Sequence, residues 1–146
     1  MVKELIHDPI RLAQKSQDAG KDDLQTAQDL MDTLVAHKDS CVGMAANMIG
    51  EFKRIICFEN GSEYMTMFNP EIIKKSGPFQ TEEACLSLLG GPRKTRRYKK
   101  IRVQYQNENF ETRVKSFENF TAQIIQHEID HCNGILIVNC QTKCNT

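Results

Sequence analysis

Gln126-His127-Glu128-Ile129-Asp130-His131 sets two imidazoles four residues apart with a carboxylate beside the first, the spacing H-E-x-x-H. On a helix of about 3.6 residues per turn, His127 and His131 share one face and can reach a single ion, with Glu128 just off that face. A divalent ion lowers the pKa of a water that it binds from about 15.7 towards about 7, and a neighbouring carboxylate can take up and return the proton. That is the chemistry of hydrolysis. The plainer reading is a surface helix with paired histidines. Only four histidines occur in 146 residues, and two stand here with the glutamate in register, which favours the metal.

A catalytic site of this kind uses three protein ligands and keeps one position open. The fifteen residues after His131 contain no Asp, Glu or His, which excludes a downstream carboxylate, and Ile137 stands where a longer histidine motif needs its last ligand. Cys132, Cys140, Cys144 and the upstream residues remain. None of the late cysteines is well placed by spacing, and spacing does not choose among the upstream candidates.

The elements that must position these groups follow from periodicity. Lys21 to about His37 carries Leu24, Ala27, Leu30, Met31, Leu34 and Val35 at helical intervals after Asp22-Asp23, an amphipathic helix whose stripe reads as core. Residues 1–20 read as irregular, with a turn at Asp8-Pro9. Cys41 to Gly50 sets small residues among apolar ones, so that backbone can approach a neighbouring element or a ligand closely. From Arg54 the pattern changes to short runs bounded by turn residues: 54–58, 64–68 ending at Asn69-Pro70, and 71–74 ending at Ser76-Gly77-Pro78. Residues 97–106 and 110–117 flank Asn107-Glu108-Asn109 as a hairpin. A final helix runs from about Glu118 to Cys132, stopped at Asn133-Gly134, and Ile135 to Val138 reads as a last strand.

Length and composition bound the rest. One domain spanning 1–146 is expected. Nineteen acidic and nineteen basic residues balance, so the chain is not built to coat DNA or an anionic membrane. No apolar run is long enough for a signal peptide or a membrane span, and a cytoplasmic location is expected. The six cysteines then read as free thiols and metal ligands rather than disulfides. The basic run Arg93 to Arg102 reads as an exposed strand with solvated charges, although it could attract a nascent chain or ribosomal RNA.

Three separated segments resemble the motifs of peptide deformylases, which remove the formyl group from N-terminal formyl-methionine. Cys41 to Gly50 is similar to the family's G-φ-G-φ-A-A-x-Q-φ-G, Glu83 to Ser87 is similar to E-G-C-L-S, and Gln126 to His131 matches Q-H-E-x-D-H in full. The resemblance covers nearly the whole chain, and the order of motifs agrees. It implies an α+β fold: mostly antiparallel sheets wrapped around a central C-terminal H-E-x-x-H helix, with an N-terminal amphipathic helix. It implies that Cys85, His127 and His131 hold one divalent ion, Fe2+ in preference to Zn2+ or Ni2+. By the same resemblance Glu128 is the general base and then acid, and the Leu86 backbone N–H helps to hold the oxyanion. Gly43, Met44, Arg93 and Arg97 are the expected substrate-binding residues, and Asp130 is expected to be structural. The expected partners are formyl-methionyl nascent chains and a transient ribosome contact, and the expected state is a monomer.

Cys41 and Ala84 replace glycines of the pattern, and Met48 replaces its glutamine. In the family that amide donates to the developing oxyanion, and a thioether has no proton to give. Loss of one such donor typically costs about 100- to 1000-fold in turnover. Reduced activity is therefore expected. The alternative is a catalytically impaired protein that keeps the metal site and binds formyl-peptides or nascent chains, although the intact Glu128 speaks against it.

Overall fold

A computed structural model describes residues 1–85 and 88–135, and of residues 88–91 the backbone alone. In chain order the elements are α1 (Pro9–Leu12), α2 (Leu24–Ala36), β1 (Gly43–Ala45), β2 (Ile55–Asn60), β3 (Glu63–Cys85), β4 (Leu88–Gln106), β5 (Thr112–Glu118) and α3 (Asn119–Cys132). Two 3-10 turns, Lys21–Asp23 and Ala46–Ile49, precede α2 and follow β1. The strands form one sheet in sequence order, every pair antiparallel. The α+β architecture expected from the sequence is the one observed.

The helix that carries H-E-x-x-H is the hub of this sheet. Ala122, Ile125, Ile129 and Cys132 recur at three- and four-residue intervals along α3, and all are buried against Ile56, Phe58, Ile101, Val103 and Phe117 of the sheet. Each fully buried isoleucine contributes roughly 1.5–3 kcal/mol relative to exposure. Gln126 fixes the register of helix against strand. Its side-chain carbonyl accepts from Tyr98 N (2.8 Å), and its amide donates to Tyr98 O (2.8 Å) and Ala122 O (2.9 Å). The helix stops at Gly134, whose φ of +71° suits glycine and where a Cβ would lie 2.4 Å from Ala13 O. A second cluster joins Leu30 and Leu34 of α2 to Met44, Met48, Ile55, Cys57 and Phe68.

Four expectations are corrected. Asp8-Pro9 starts a helix rather than making a turn: Asp8 Oδ1 accepts from Ile10 N (3.0 Å), and Pro9 occupies the first helical position, where a missing N–H costs nothing. The 64–68 and 71–74 runs belong to one strand, β3, that continues to Cys85. Asn69 (φ 52°) and Gly77 (φ 72°) look like turn residues in the sequence, yet they supply positive φ inside a bulged strand. Pro78, expected to end a strand, stays in register opposite Tyr98. The expected last strand lies, beyond Ile135, outside the described residues, as do Cys140 and Cys144. Among the described residues Cys41, Cys57, Cys85 and Cys132 are free thiols.

Candidate active site

Helical spacing places the His127 and His131 rings 5.0 Å apart, both buried, on the face of α3 turned to Glu83 and Cys85 at the end of β3. Cys85, at the end of β3, brings its Sγ to 3.3 Å from His131 Nε2. One donor atom from each of the three residues lies within 4.8 Å of the others. Adjustments of about an ångström bring such a set to the bond lengths of about 2.0–2.3 Å that one tetrahedral ion requires. A thiolate and two imidazoles suit a borderline-soft divalent metal, so the residues present fit the ion that the H-E-x-x-H spacing implies.

The orientation of His127 is fixed from behind. Its Nδ1 donates to Glu83 Oε1 (2.8 Å), which leaves Nε2 to face Cys85 and His131. Glu83 in turn receives Arg97 in a bidentate pair, Nη2 to Oε1 at 2.7 Å and Nε to Oε2 at 2.9 Å, and Gln123 Nε2 at 2.9 Å. Arg97 Nη1 reaches across to Asp130 Oδ2 at 2.6 Å. Burial alone would raise the Glu83 pKa, but hydrogen bonds from His127 and Arg97 outweigh it and hold the carboxyl at about 2. Burial also works against a charge on either imidazole. At His127 the Glu128 charge, with hydrogen bonds to Cys85 and Glu83, outweighs it and raises the pKa well above the ordinary value, whereas burial and the neighbouring His127 charge lower that of His131.

Arg97 therefore does not line a substrate groove, as the sequence suggested. It is 3% exposed and sits between two carboxylates, one on the strand that carries Cys85 and one on the helix that carries the histidines. We expect Arg97→Met to destabilise the fold by about 3–5 kcal/mol, because the buried Glu83 and the half-buried Asp130 lose their counter-charge. Denaturant unfolding checks this, and a loss below about 1 kcal/mol would mean that water takes over the role of the guanidinium. Asp130, expected to be structural, holds Arg97.

Glu128 is 4% exposed and turned towards β1. Burial pushes its carboxyl up to about 7, where a group can both accept and release a proton near neutrality. Its Oε1 has no hydrogen-bond partner among the described residues. Gly43, expected as a substrate-binding residue, makes room for this side chain. A Cβ there would lie 2.7 Å from Ile124 Cγ2 and 3.0 Å from Glu128 Oε2. Gly43→Ala should thus displace Glu128 and lower kcat by about 100-fold with metal content unchanged, since a misplacement of about 1 Å costs that much. Metal analysis beside steady-state kinetics tests it, and wild-type kcat would show that Ile124 yields instead.

The remaining expected residues fall as follows. Met44 is fully buried in the α2-facing cluster. Arg93 is half-buried on β4, opposite Glu83 in strand register. Leu86 lies outside the described residues. Met48 is 1% exposed, and its Sδ accepts from Ala45 N at 3.4 Å, so the side chain folds back over its own turn. Asn47 does not slip into its place: its amide nitrogen is committed to His131 O (3.1 Å) and Leu12 O (3.3 Å). Cys41 Sγ donates to Gly43 O (2.9 Å), and burial, with the Glu128 charge nearby, pushes the thiol up to about 12. The ordering roles of Glu83 and Gln123 were not read from the sequence. The only available signal was the position of Glu83 two residues before Cys85.

Comparison with known proteins agrees with this geometry. The family model described as polypeptide deformylase matches residues 4–146. The peptide deformylase of Clostridium beijerinckii is 51% identical over 137 residues, covering 94% of this chain and all of that protein. That of Carboxydothermus hydrogenoformans is 37% identical over 135 residues, covering 91% of this chain and 88% of its own. Among solved structures, the Met-Ala-Ser-bound class I type b peptide deformylase of Acinetobacter baumannii superposes with a TM-score of 0.87 at 26% identity, covering 96% of this chain and 98% of that one. The Thermotoga maritima peptide deformylase gives 0.87 at 27% identity, covering 96% and 97%. The chain belongs to the polypeptide deformylase family.

Proposed function

We propose that this family member hydrolyses the formyl group from N-terminal formyl-methionine of nascent peptides, with Cys85, His127 and His131 holding one divalent ion and Glu128 moving the proton. The observation that carries the reading is the convergence of those three donors beside a buried carboxyl with a pKa of about 7. When bound, the ion supplies Lewis-acid polarisation and a nucleophilic water near neutral pH. The chain's own residues do the rest. Glu128 accepts a proton from the attacking water and delivers it to the leaving amine nitrogen as the formyl C–N bond breaks, giving formate and a free N-terminus. Glu83 keeps the His127 proton on Nδ1, and Arg97 keeps Glu83 ionised and in place. The Leu86 backbone N–H and the residue at position 48 stand, by family resemblance, on the oxyanion side.

By family resemblance ferrous iron is the preferred ion; a single thiolate with two neutral imidazoles leaves one positive charge on a soft, open site that suits Zn2+ and Ni2+ as well. One sheet with α3 at its centre supports a single domain over 1–146, and a monomer is the state proposed. The substrate, a newly made chain, supports a cytoplasmic location and a transient ribosome contact; among the described residues no helix is long and apolar enough to cross a membrane. The ligand set is tested by elemental analysis after dialysis against a chelator. Wild type should retain about one metal per chain, as the three-ligand site requires, and Cys85→Ala should lose it. Full occupancy in Cys85→Ala contradicts the assignment.

A further inference from the structure

His131 presents Nε2 to Cys85 Sγ, so ligation through Nε2 places the ring proton on Nδ1. That Nδ1 is buried with no acceptor among the described residues. Besides Glu128 Oε1, two other buried side-chain atoms, Asn47 Oδ1 and Ser16 Oγ, share this condition, and both of their residues are tied to the helical turn of His131. Asn47, wholly buried, donates its amide to His131 O (3.1 Å) and Leu12 O (3.3 Å). Ser16 donates its backbone N–H to Cys132 O (2.8 Å). The two carbonyls settle which way the Asn47 amide points, because reversing it would set oxygen against oxygen. Its Oδ1 therefore remains an acceptor, on a residue bonded to the His131 backbone.

Leaving one buried polar group unpaired is costly, and three around one turn compound that cost. Their chemistry is complementary: one donor, one acceptor and a hydroxyl that is both. We propose that Asn47 Oδ1 and Ser16 Oγ hold the Nδ1 proton of His131 through one shared internal water, fixing the ring with Nε2 towards the metal. Internal waters typically make about three hydrogen bonds, the number offered here. Asn47 and Ser16 are then positioning residues for His131, as Glu83 is for His127, with a neutral acceptor in place of a carboxylate. This rests on His131 being a metal ligand.

The test is zinc affinity of the full chain, measured by competition with a chromophoric chelator. Ser16→Ala and Asn47→Ala should each weaken zinc by about 10- to 100-fold, the usual effect of removing a group that orients a ligand. The double variant should lose less than the product of the two, because both act on one proton. Asn47→Asp keeps an acceptor and should hold zinc within a few-fold of wild type even where its lost donors lower Tm, a separation that a purely structural role would not produce. In zinc-loaded wild type labelled with 15N-histidine, the His131 Nδ1 proton should exchange slowly with water. Wild-type zinc affinity in Ser16→Ala together with fast exchange of that proton overturns the proposal, whether or not Asn47→Ala folds. Cys85→Ala is the control: if it too binds zinc like wild type, the ligand assignment fails, whereas its loss of zinc beside an unaffected Ser16→Ala isolates the failure to this inference.

Discussion

Glu128→Gln should release formate about 100- to 10,000-fold more slowly than wild type while keeping its metal and its fold, the range expected when a general acid–base group is removed. The amide is nearly isosteric and fits the space beside Gly43, but it cannot accept the proton of the attacking water or return it to the amine. The same substitution should move stability in the opposite sense. The folded-state pKa of about 7 lies above the ordinary 4.5, so burial of Glu128 favours the neutral acid. Its contribution to stability is fully present below about pH 4.5 and is lost as pH rises to about 7, leaving a cost on the order of 1–3 kcal/mol above that. Metal-free Glu128→Gln should therefore unfold later than metal-free wild type at pH 8 and no later at pH 4. A variant that keeps most of its turnover, or a stability difference with the reverse pH dependence, contradicts the role.

Met48→Gln should raise kcat, by as much as about 100- to 1000-fold if the new amide meets the geometry of a preorganised donor. The structure gives a reason to expect a fit. Met48 Sδ already accepts from Ala45 N across the 3-10 turn, and glutamine has the same unbranched length. Its Oε1 can take over that hydrogen bond, as a third-position glutamine does when it reaches back to the start of a helix, which leaves Nε2 to donate. A donor aimed at the oxyanion acts more in the transition state than in the ground state, so kcat should rise more than KM changes. A gain of only a few-fold would point to Cys41 or Ala84, which replace the family's other motif glycines, and the double and triple reversions separate them. Unchanged kcat in a variant with normal metal content would mean that position 48 does not face the formyl oxygen.

The histidine pair and Glu128 were legible because helical spacing alone decides which side chains share a face. Cys85 was not: it reaches the site from the far end of a strand, a contact set by tertiary pairing, and only the resemblance to a known motif selected it. Arg97 was misread for a related reason. A cation in a basic strand looks solvated until the fold brings Glu83 and Asp130 to either side of it. Asn69 and Gly77 misled the reading of β3, since the positive φ that ends a strand in one context falls at a bulge at Asn69 and inside an unbroken register at Gly77. Gly43 was legible as a close approach, and its neighbours there are Ile124 and the Glu128 carboxyl.

Formate release from formyl-Met-Ala-Ser by the full chain, loaded anaerobically with iron and shown to carry one metal, tests the central reading most directly. Turnover well above the metal-only background, lost in Glu128→Gln at equal metal content, is the predicted result. Metal-loaded wild type that releases formate no faster than Glu128→Gln contradicts it.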